Sequence, residues 1–581
     1  MKKAINDIGY DLVIEDDKSV EIIERRAYKL LQHRTVLSWF FAVLCMSLSM
    51  GWLKIGGDSV SKQVQLLLAF CNIVLCGGGF YRATWKQLRH ASANMDTLVC
   101  LSTSITFLFS AFNTFCGSRM WGVGGDTYFD SSIMIITFVL TGRMLEEKAK
   151  DSTASSIRQL MRMAPKTARL VVNNEVRQVP ISTIEIGDIL EVRPGESVPV
   201  DGTVVSASSF MKSDAAYVDE SMITGEPTPA EKKGGSKVLA GTIPSQGTFR
   251  LKASQVGENT ALAHIIRMVQ EAQNSKAPVQ RIIDKVALVF VPVVGAFSLL
   301  TFFIWLLVGG VEMLPQAILS AVAVLVVACP CAMGLATPTA LMVGIGRAAK
   351  EKVLVKDATA LERLGRVNAL VVDKTGTITV PSPYVDFTKA DSLSLEEREQ
   401  IKPHAFDAMN QLRTWGIDVW MMSGDKDSAV RYWAERAGIA HYCSQVLPSD
   451  KEAMVRKLQT EGKTVGMIGD GINDTQALAL ADVSIAMGNG TDIAMNVSQV
   501  TLMTNDLQAI PKAILLSRKT VKMIWENLFW AFVYNIVCIP LAAGVLHLFG
   551  VDFQITPIWA SALMAFSSLS VVLNSLRLKF C

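Results

Sequence analysis

A chain of 581 residues, half of them hydrophobic and 19% charged, with a mean hydropathy of +0.32, is too apolar for a disordered chain, a collagen-like fibre or an ordinary water-soluble enzyme. Its net charge of +3 is too small at this length to point to nucleic acid as a partner. A membrane protein with a large aqueous part remains, with room for about four domains at roughly 150 residues each.

Taken in chain order, residues 1–35 mix charges and precede four apolar runs at 36–54, 62–81, 96–116 and 127–146. Two more follow at 285–309 and 316–339, and two at 523–549 and 554–575. Each is close to the roughly 20 residues that cross a ~30 Å hydrocarbon core, which predicts eight crossings. An even number puts both termini and both large loops on one side. Lys29, His33 and Arg34 before the first run, with Arg577 and Lys579 after the last, make that side cytoplasmic. The second run ends in Gly77-Gly78-Gly79, a predicted helix break. FYRATWKQLRH follows, which reads either as an interfacial amphipathic helix or as a solvated basic linker. Of ten cysteines, eight fall in or at the ends of the runs and no C-x-x-C occurs, which predicts a reducing location without a disulfide framework.

Between the fourth and fifth runs, residues 167–255 alternate short β-rich stretches with Gly, Pro and Asn turns, an all-β pattern that contains Thr224-Gly225-Glu226. Residues 366–515 read as α/β. There, ALVV stops at Asp373-Lys374-Thr375-Gly376-Thr377, DVWMM at Ser423-Gly424-Asp425, and VGMI at Gly469-Asp470-Gly471-Ile472-Asn473-Asp474. Chemistry in an open parallel sheet sits past the carboxyl ends of its strands, so three such clusters can converge on one phosphate. Asp373 is then the nucleophile, and Asp470 and Asp474 are hard carboxylates for one Mg²⁺. Ser423 donates to the phosphoryl group and Lys451 neutralises it.

D-K-T-G-T after a strand, T-G-E in a β module and G-D-G-x-N-D together resemble the P-type ATPases, whose phosphorylation domain is haloacid-dehalogenase-like. Four helices before the β module and Cys329-Pro330-Cys331 in the span before Asp373 are similar to the heavy-metal pumps. The resemblance implies a multi-domain membrane protein: an eight-helix bundle, an all-β actuator domain and an α/β phosphorylation domain. It implies an aspartyl phosphate formed on Asp373 from ATP with Mg²⁺, the latter held also by Thr375. Lys374, Thr375, Gly424, Asp425 and Asn473 bind the cofactor, and Thr224, Gly225 and Glu226 bring in the hydrolytic water. Thiolates prefer Cu(I) or zinc-like ions, and Pro330 unwinds the span so that Cys329 and Cys331 face one cavity. Tyr534, Asn535, Met564 and Ser568, with Ser567, resemble the copper(I) branch rather than the zinc/cadmium branch, which carries charge there. Met95, Glu146 and Asp284 match positions where copper pumps take up or release the ion. Copper(I) delivered by a soluble chaperone, a lipid environment and a bacterial plasma membrane follow from the same resemblance.

The expected boundaries are 1–35 for a remnant of an amino-terminal metal-binding domain and a lead-in helix, 36–146 for the first four spans and 147–284 for the actuator. Residues 285–345 form the next two spans, 346–520 the phosphorylation domain and 521–581 the last two spans. Only 52 residues separate Asp373 from Asp425, where the family carries a nucleotide-binding domain. The insertion near 381–402 is too short for that domain's core, and His404 is followed by Ala405 rather than by the adenine-site proline. ATP-driven copper(I) export is therefore expected by resemblance. The alternatives are a transport-silent, shortened copper-binding membrane protein and a zinc/cadmium pump.

Overall fold

The computed structural model describes residues 17–53, 57–89, 94–115, 127–153, 165–173, 175–208, 215–220, 228–382, 394–470, 474–488 and 497–580. These fall into two compact units, one of 1–152, 278–340 and 523–577, the other of 153–277, 341–522 and 578–581.

The first unit is helical. Among the described residues, five helices are long and apolar enough to cross a membrane: Met95–Phe115, Lys285–Gly309, Val311–Lys350, Ala509–Ala543 and Pro557–Lys579. A sixth crossing is counted if Asp58–Leu75 and Gly78–Leu88, bent by 61° at their junction, form one broken span. This differs from the eight runs read from sequence. Asp17–Ser49 and Phe129–Thr153 are continuous helices, but their apolar stretches share the helix with charged tracts such as EIIERRAYK and RMLEEKAKD. The bend falls at the glycine run, as expected, and the segment after it is a helix with Phe80 and Thr84 buried and Trp85 65% exposed.

Within the Val311–Lys350 segment the helix Leu314–Val327 ends, and a new one starts at Cys331. Pro330 lies in that gap, where a missing N–H costs no helical bond. Polar side chains tie the following helix to its neighbours. Asn527 Nδ2 donates to the Ala336 carbonyl at 3.2 Å and to Ser575 Oγ at 2.8 Å, while Asn574 Nδ2 donates to Asn527 Oδ1 at 2.9 Å. Interhelical hydrogen bonds of this kind hold membrane helices where apolar burial gives no net driving force.

The second unit carries two β modules. Strands β1 (Thr167–Val172), β2 (Glu175–Pro180), β3 (Ile189–Val192), β4 (Asp201–Ser208), β7 (Lys237–Val238) and β9 (Thr248–Gln255) form an antiparallel sheet in the order β2-β1-β3-β9-β4-β7. Strands β5 (Ala216–Asp219), β6 (Ala230–Lys232) and β8 (Ile243–Gln246) form a second. Leu190, Val204, Phe249 and Leu251 are buried between them, the inward positions of alternating strands. A helix, Ala261–Asn274, follows.

The other module is a seven-stranded sheet, β10-β18-β17-β16-β11-β14-β15, parallel except where β10 meets β18. Its strands are β10 (Val353–Val355), β11 (Ala369–Asp373), β14 (Asp418–Met422), β15 (His441–Cys443), β16 (Val465–Gly469), β17 (Val483–Met487) and β18 (Val500–Leu502). β11, β16 and β17 are buried along their whole length, because helices cover both faces of such a sheet. A separate antiparallel pair, β12 (Thr379–Pro381) with β13 (Glu399–Ile401), closes the short insertion directly behind the Asp373 turn.

Candidate functional site

Strands β16, β11 and β14 are adjacent and parallel, so the three clusters after them emerge side by side at one edge. Asp373 is the last residue of the central strand, Ser423 follows β14 and Asp470 follows β16. Carboxylate oxygens of Asp373, Asp470 and Asp474 lie within 4.8 Å of one another. Three hard oxygens at that spacing fit one Mg²⁺.

The backbone leaves no slack around these carboxylates. Gly376 has φ +74°, and a Cβ there would sit 1.4 Å from Asp470 Oδ2; one on Gly469 would sit 2.5 Å from Asp474 Oδ2. Both glycines let acidic side chains lie against the main chain.

Lys451 Nζ donates to Asp373 Oδ1 and, at 2.7 Å, to Asp474 Oδ1. Burial works against its charge, but Asp373 and Asp474 outweigh it and hold the ammonium above its usual range. Asp373 is 6% exposed, and its carboxyl is pushed up to about 7, first by burial and then by the charge of Asp474. Asp470 is raised for the same two reasons. A cluster of acids that resists ionising together is suited to a divalent cation, whose charge reverses that preference. Ser423 is buried and its Oγ accepts from the Asp425 amide at 3.3 Å. Thr375 is exposed beside the nucleophile, and Gly424 is exposed at the end of β14.

Glu399 and Lys402, which sequence reasoning missed, also belong here. Lys374 is buried, and its Nζ donates to both oxygens of Glu399 and to Asp425. Lys402, also buried, donates to the Gly376 carbonyl, and burial lowers its ammonium to about 8. Both Glu399 and Lys402 come from β13 or just after it, so the pairing of TVP with EQI was the signal that could have found them. Thr224, Gly225, Glu226 and Asn473 lie outside the described residues, as do residues 1–16 of the proposed amino-terminal remnant and 383–393 of the insertion.

In the helical unit, a cavity of about 40 Å³ is lined by Met95, Arg143, Glu146, Cys329, Cys331, Ser561, Met564 and Ser568, with apolar residues between them. That is room for an ion or a water. Met95 Sδ is 3.9 Å from Cys331 Sγ. Met95 and Glu146 therefore share a wall of the cavity with the cysteines. Tyr534 and Asn535 are not among the lining residues; Asn535 is buried elsewhere in the helix Ala509–Ala543. The side chain of Asp284 lies outside the described residues. Cys329 and Cys331 are joined as a disulfide, with Cα atoms 5.5 Å apart. This corrects the expectation of two separate thiols. The break at Pro330 puts both side chains on the same side, close enough to bond.

A strand-end aspartate with a lysine and two further aspartates is the site of a haloacid-dehalogenase-like phosphotransferase, and residues 385–482 and 451–514 match that hydrolase family, while 162–270 match the P-type ATPase actuator domain. The chain is 37% identical over 685 positions to a protein of Enterococcus hirae named as a probable copper-importing P-type ATPase, covering 99% of this chain and 91% of that one. It is 35% identical over 689 positions to a copper-exporting P-type ATPase of Bacillus subtilis, covering all of this chain and 84% of the relative. The chain belongs to the copper-transporting P-type ATPases. Among solved structures, a zinc-transporting PIB-type ATPase in an E2.Pi state aligns with a TM-score of 0.47 at 24% identity, over 94% of this chain and 99% of that one. Alignments of 685 positions against 581 residues leave about a hundred positions of the Enterococcus relative without a counterpart here.

Proposed function

We propose that this chain moves copper(I) out across a bacterial plasma membrane, driven by phosphorylation of Asp373 from ATP. The observation that carries the reading is one small cavity lined by two cysteines and two methionines. Thiolates and thioethers are soft donors that select Cu(I) over hard cations, and neither Mg²⁺ nor Ca²⁺ would choose them. Cargo binding needs the reduced pair: a dithiol reductant, oxidised in turn to its own disulfide, supplies two electrons and two protons that convert the bond to two thiols, whose deprotonation gives the thiolates.

On the other unit, Lys451 holds Asp373 in place and spreads the charge of an incoming phosphoryl group. Asp470 and Asp474 hold Mg²⁺ with Asp373, and the ion supplies charge neutralisation for phosphoryl transfer. Ser423 directs its hydroxyl to the phosphoryl oxygens. Glu226, in T-G-E, orients the water that later hydrolyses the acyl phosphate. Met95, Glu146 and Asp284 pass the ion between the cytoplasm, where a soluble chaperone supplies it, and the cysteines, with Ser568 and Met564 completing the donor set.

A second reading, a shortened pump that binds copper but uses ATP poorly, is favoured by the direct β12–β13 pairing. It leaves residues 382–398 in place of a nucleotide-binding domain. Copper(I)-stimulated ATP hydrolysis and copper accumulation in inside-out vesicles test both. Stimulation that is lost in Cys329→Ala and Asp373→Asn supports the pump. Copper binding with no stimulation, and phosphorylation by acetyl phosphate but not by ATP, supports the second.

A further inference from the structure

The cavity around the cysteines carries a fixed positive charge that the transport reading does not use. Arg143 lines it beside Met95 and Glu146. A guanidinium is not deprotonated in proteins, and an arginine on the wall of a conduction path repels cations. This arginine is held in place. It is paired with Asp96, its guanidinium carbon lies 4.6 Å from the centre of the Phe80 ring, and its Nε is buried without a hydrogen-bond partner. Asp96 is 8% exposed and follows Met95 directly, yet it is not among the residues that line the cavity. An ion in the cavity therefore meets the positive member of this pair on the wall, beside the carboxylate of Glu146, while the arginine's own counter-charge, Asp96, is not on the wall. Ionisable pairs inside a membrane bundle are costly and mark functional paths.

We propose that Arg143, anchored by Asp96, is a specificity-determining residue that admits monovalent soft cations and rejects divalent ones. The inference rests on the reading that this cavity carries a soft metal. Thiolates alone do not separate Cu(I) or Ag(I) from Zn(II), because both classes bind sulfur. Charge does. Repulsion by the guanidinium grows in proportion to the charge of the ion, so a divalent ion meets it twice as strongly as a monovalent one. At an effective dielectric of about 20 and the separations within one small cavity, the extra unit changes relative affinity on the order of tenfold or more. The pair with Asp96 fixes the guanidinium so that it cannot swing away from an arriving divalent ion.

The test measures Ag(I) and Zn(II) binding to the reduced, detergent-solubilised full chain by equilibrium dialysis with metal analysis. The quantity read is the Zn(II)/Ag(I) affinity ratio. Arg143→Gln uncovers the Asp96 charge, and the ratio is expected to rise about tenfold. Arg143→Lys keeps the charge, and its ratio stays near that of the unmodified chain. The double variant Arg143→Gln with Asp96→Asn restores the charge balance, and the ratio falls back from the single variant's value. Asp96→Asn alone leaves the guanidinium unopposed and lowers the ratio, which keeps the proposal testable if Arg143→Gln does not fold. An unchanged ratio in both single neutral variants overturns the proposal. So does a rise in Arg143→Lys or in the double variant as large as in Arg143→Gln, since packing rather than charge would then be the cause. If Cys329→Ala leaves Ag(I) binding to the otherwise unmodified chain intact, the soft-metal reading itself falls and takes this inference with it.

Discussion

Lys374 Nζ donates to both carboxylate oxygens of Glu399, at 2.7 and 2.6 Å. The lysine side chain is 1% exposed and Glu399 lies on β13, so that strand is tied to the residue after the nucleophile. Glu399→Ala leaves Asp425 as the ion-pair partner of a buried ammonium. The expected loss is about 1–3 kcal/mol of stability, read as a lower midpoint in chemical unfolding. Glu399→Gln, which keeps an acceptor, should lose less.

Lys451 stands between Asp373 and Asp474, and its removal leaves two buried acids facing each other. Lys451→Met is expected to cost about 3–5 kcal/mol in chelator, the range for breaking a buried pair. Millimolar Mg²⁺ should recover much of that loss, because the ion replaces the missing positive charge. Thermal unfolding with and without Mg²⁺ checks this, and the variant should form no acid-stable phosphoenzyme from ATP.

The Asp373 carboxyl is raised from 3.8 to about 7, chiefly by burial. A raised folded-state pKa means that the folded, metal-free chain favours the protonated acid. The stability this group contributes is therefore full below about pH 4 and lost as pH rises through about 7. Asp373→Asn cannot ionise. In chelator, its stability advantage over the unmodified chain should widen between pH 4 and pH 7.5 and then level off, at no more than about 4 kcal/mol. A difference that stays flat across that range would show that Lys451 already compensates the charge.

Gly376→Ala should abolish Mg²⁺-dependent phosphorylation. The added methyl carbon would fall 1.4 Å from Asp470 Oδ2 at a backbone φ of +74°, so either the turn or the carboxylate must move. A backbone held at positive φ costs a non-glycine residue about 1–2 kcal/mol, so the chain is expected to remain folded. Phosphoenzyme formation from ³²P-labelled inorganic phosphate, titrated with Mg²⁺, separates the loss of metal binding from the loss of fold.

The phosphorylation site was legible because its chemistry sits at strand ends, and apolar runs that stop at acids mark strand ends in one dimension. Asp373, Ser423 and Asp470 each follow such a run, and the sheet order brings those runs together. The Lys374–Glu399 and Arg143–Asp96 pairs were not legible, because each joins residues whose approach depends on tertiary packing and not on spacing. Tyr534 and Asn535 were expected beside the cysteines but are not among the residues that line the cavity, and periodicity fixes which residues share a face but not which neighbour that face meets. The span count fell short for a related reason. Phe129–Thr153 runs without a break from its apolar part into charged residues, so its apolar stretch read alone suggests a crossing that the whole helix, by composition, does not.

The β12–β13 pair gives this fold a socket. Thr379 faces Ile401 and Pro381 faces Glu399, which fixes the two ends of the intervening segment one strand spacing apart, about 5 Å. Whatever lies between those ends hangs from a clip that is already closed. Because the clip holds both ends, the length of the segment between them need not disturb β11 or the register of the acid at its tip.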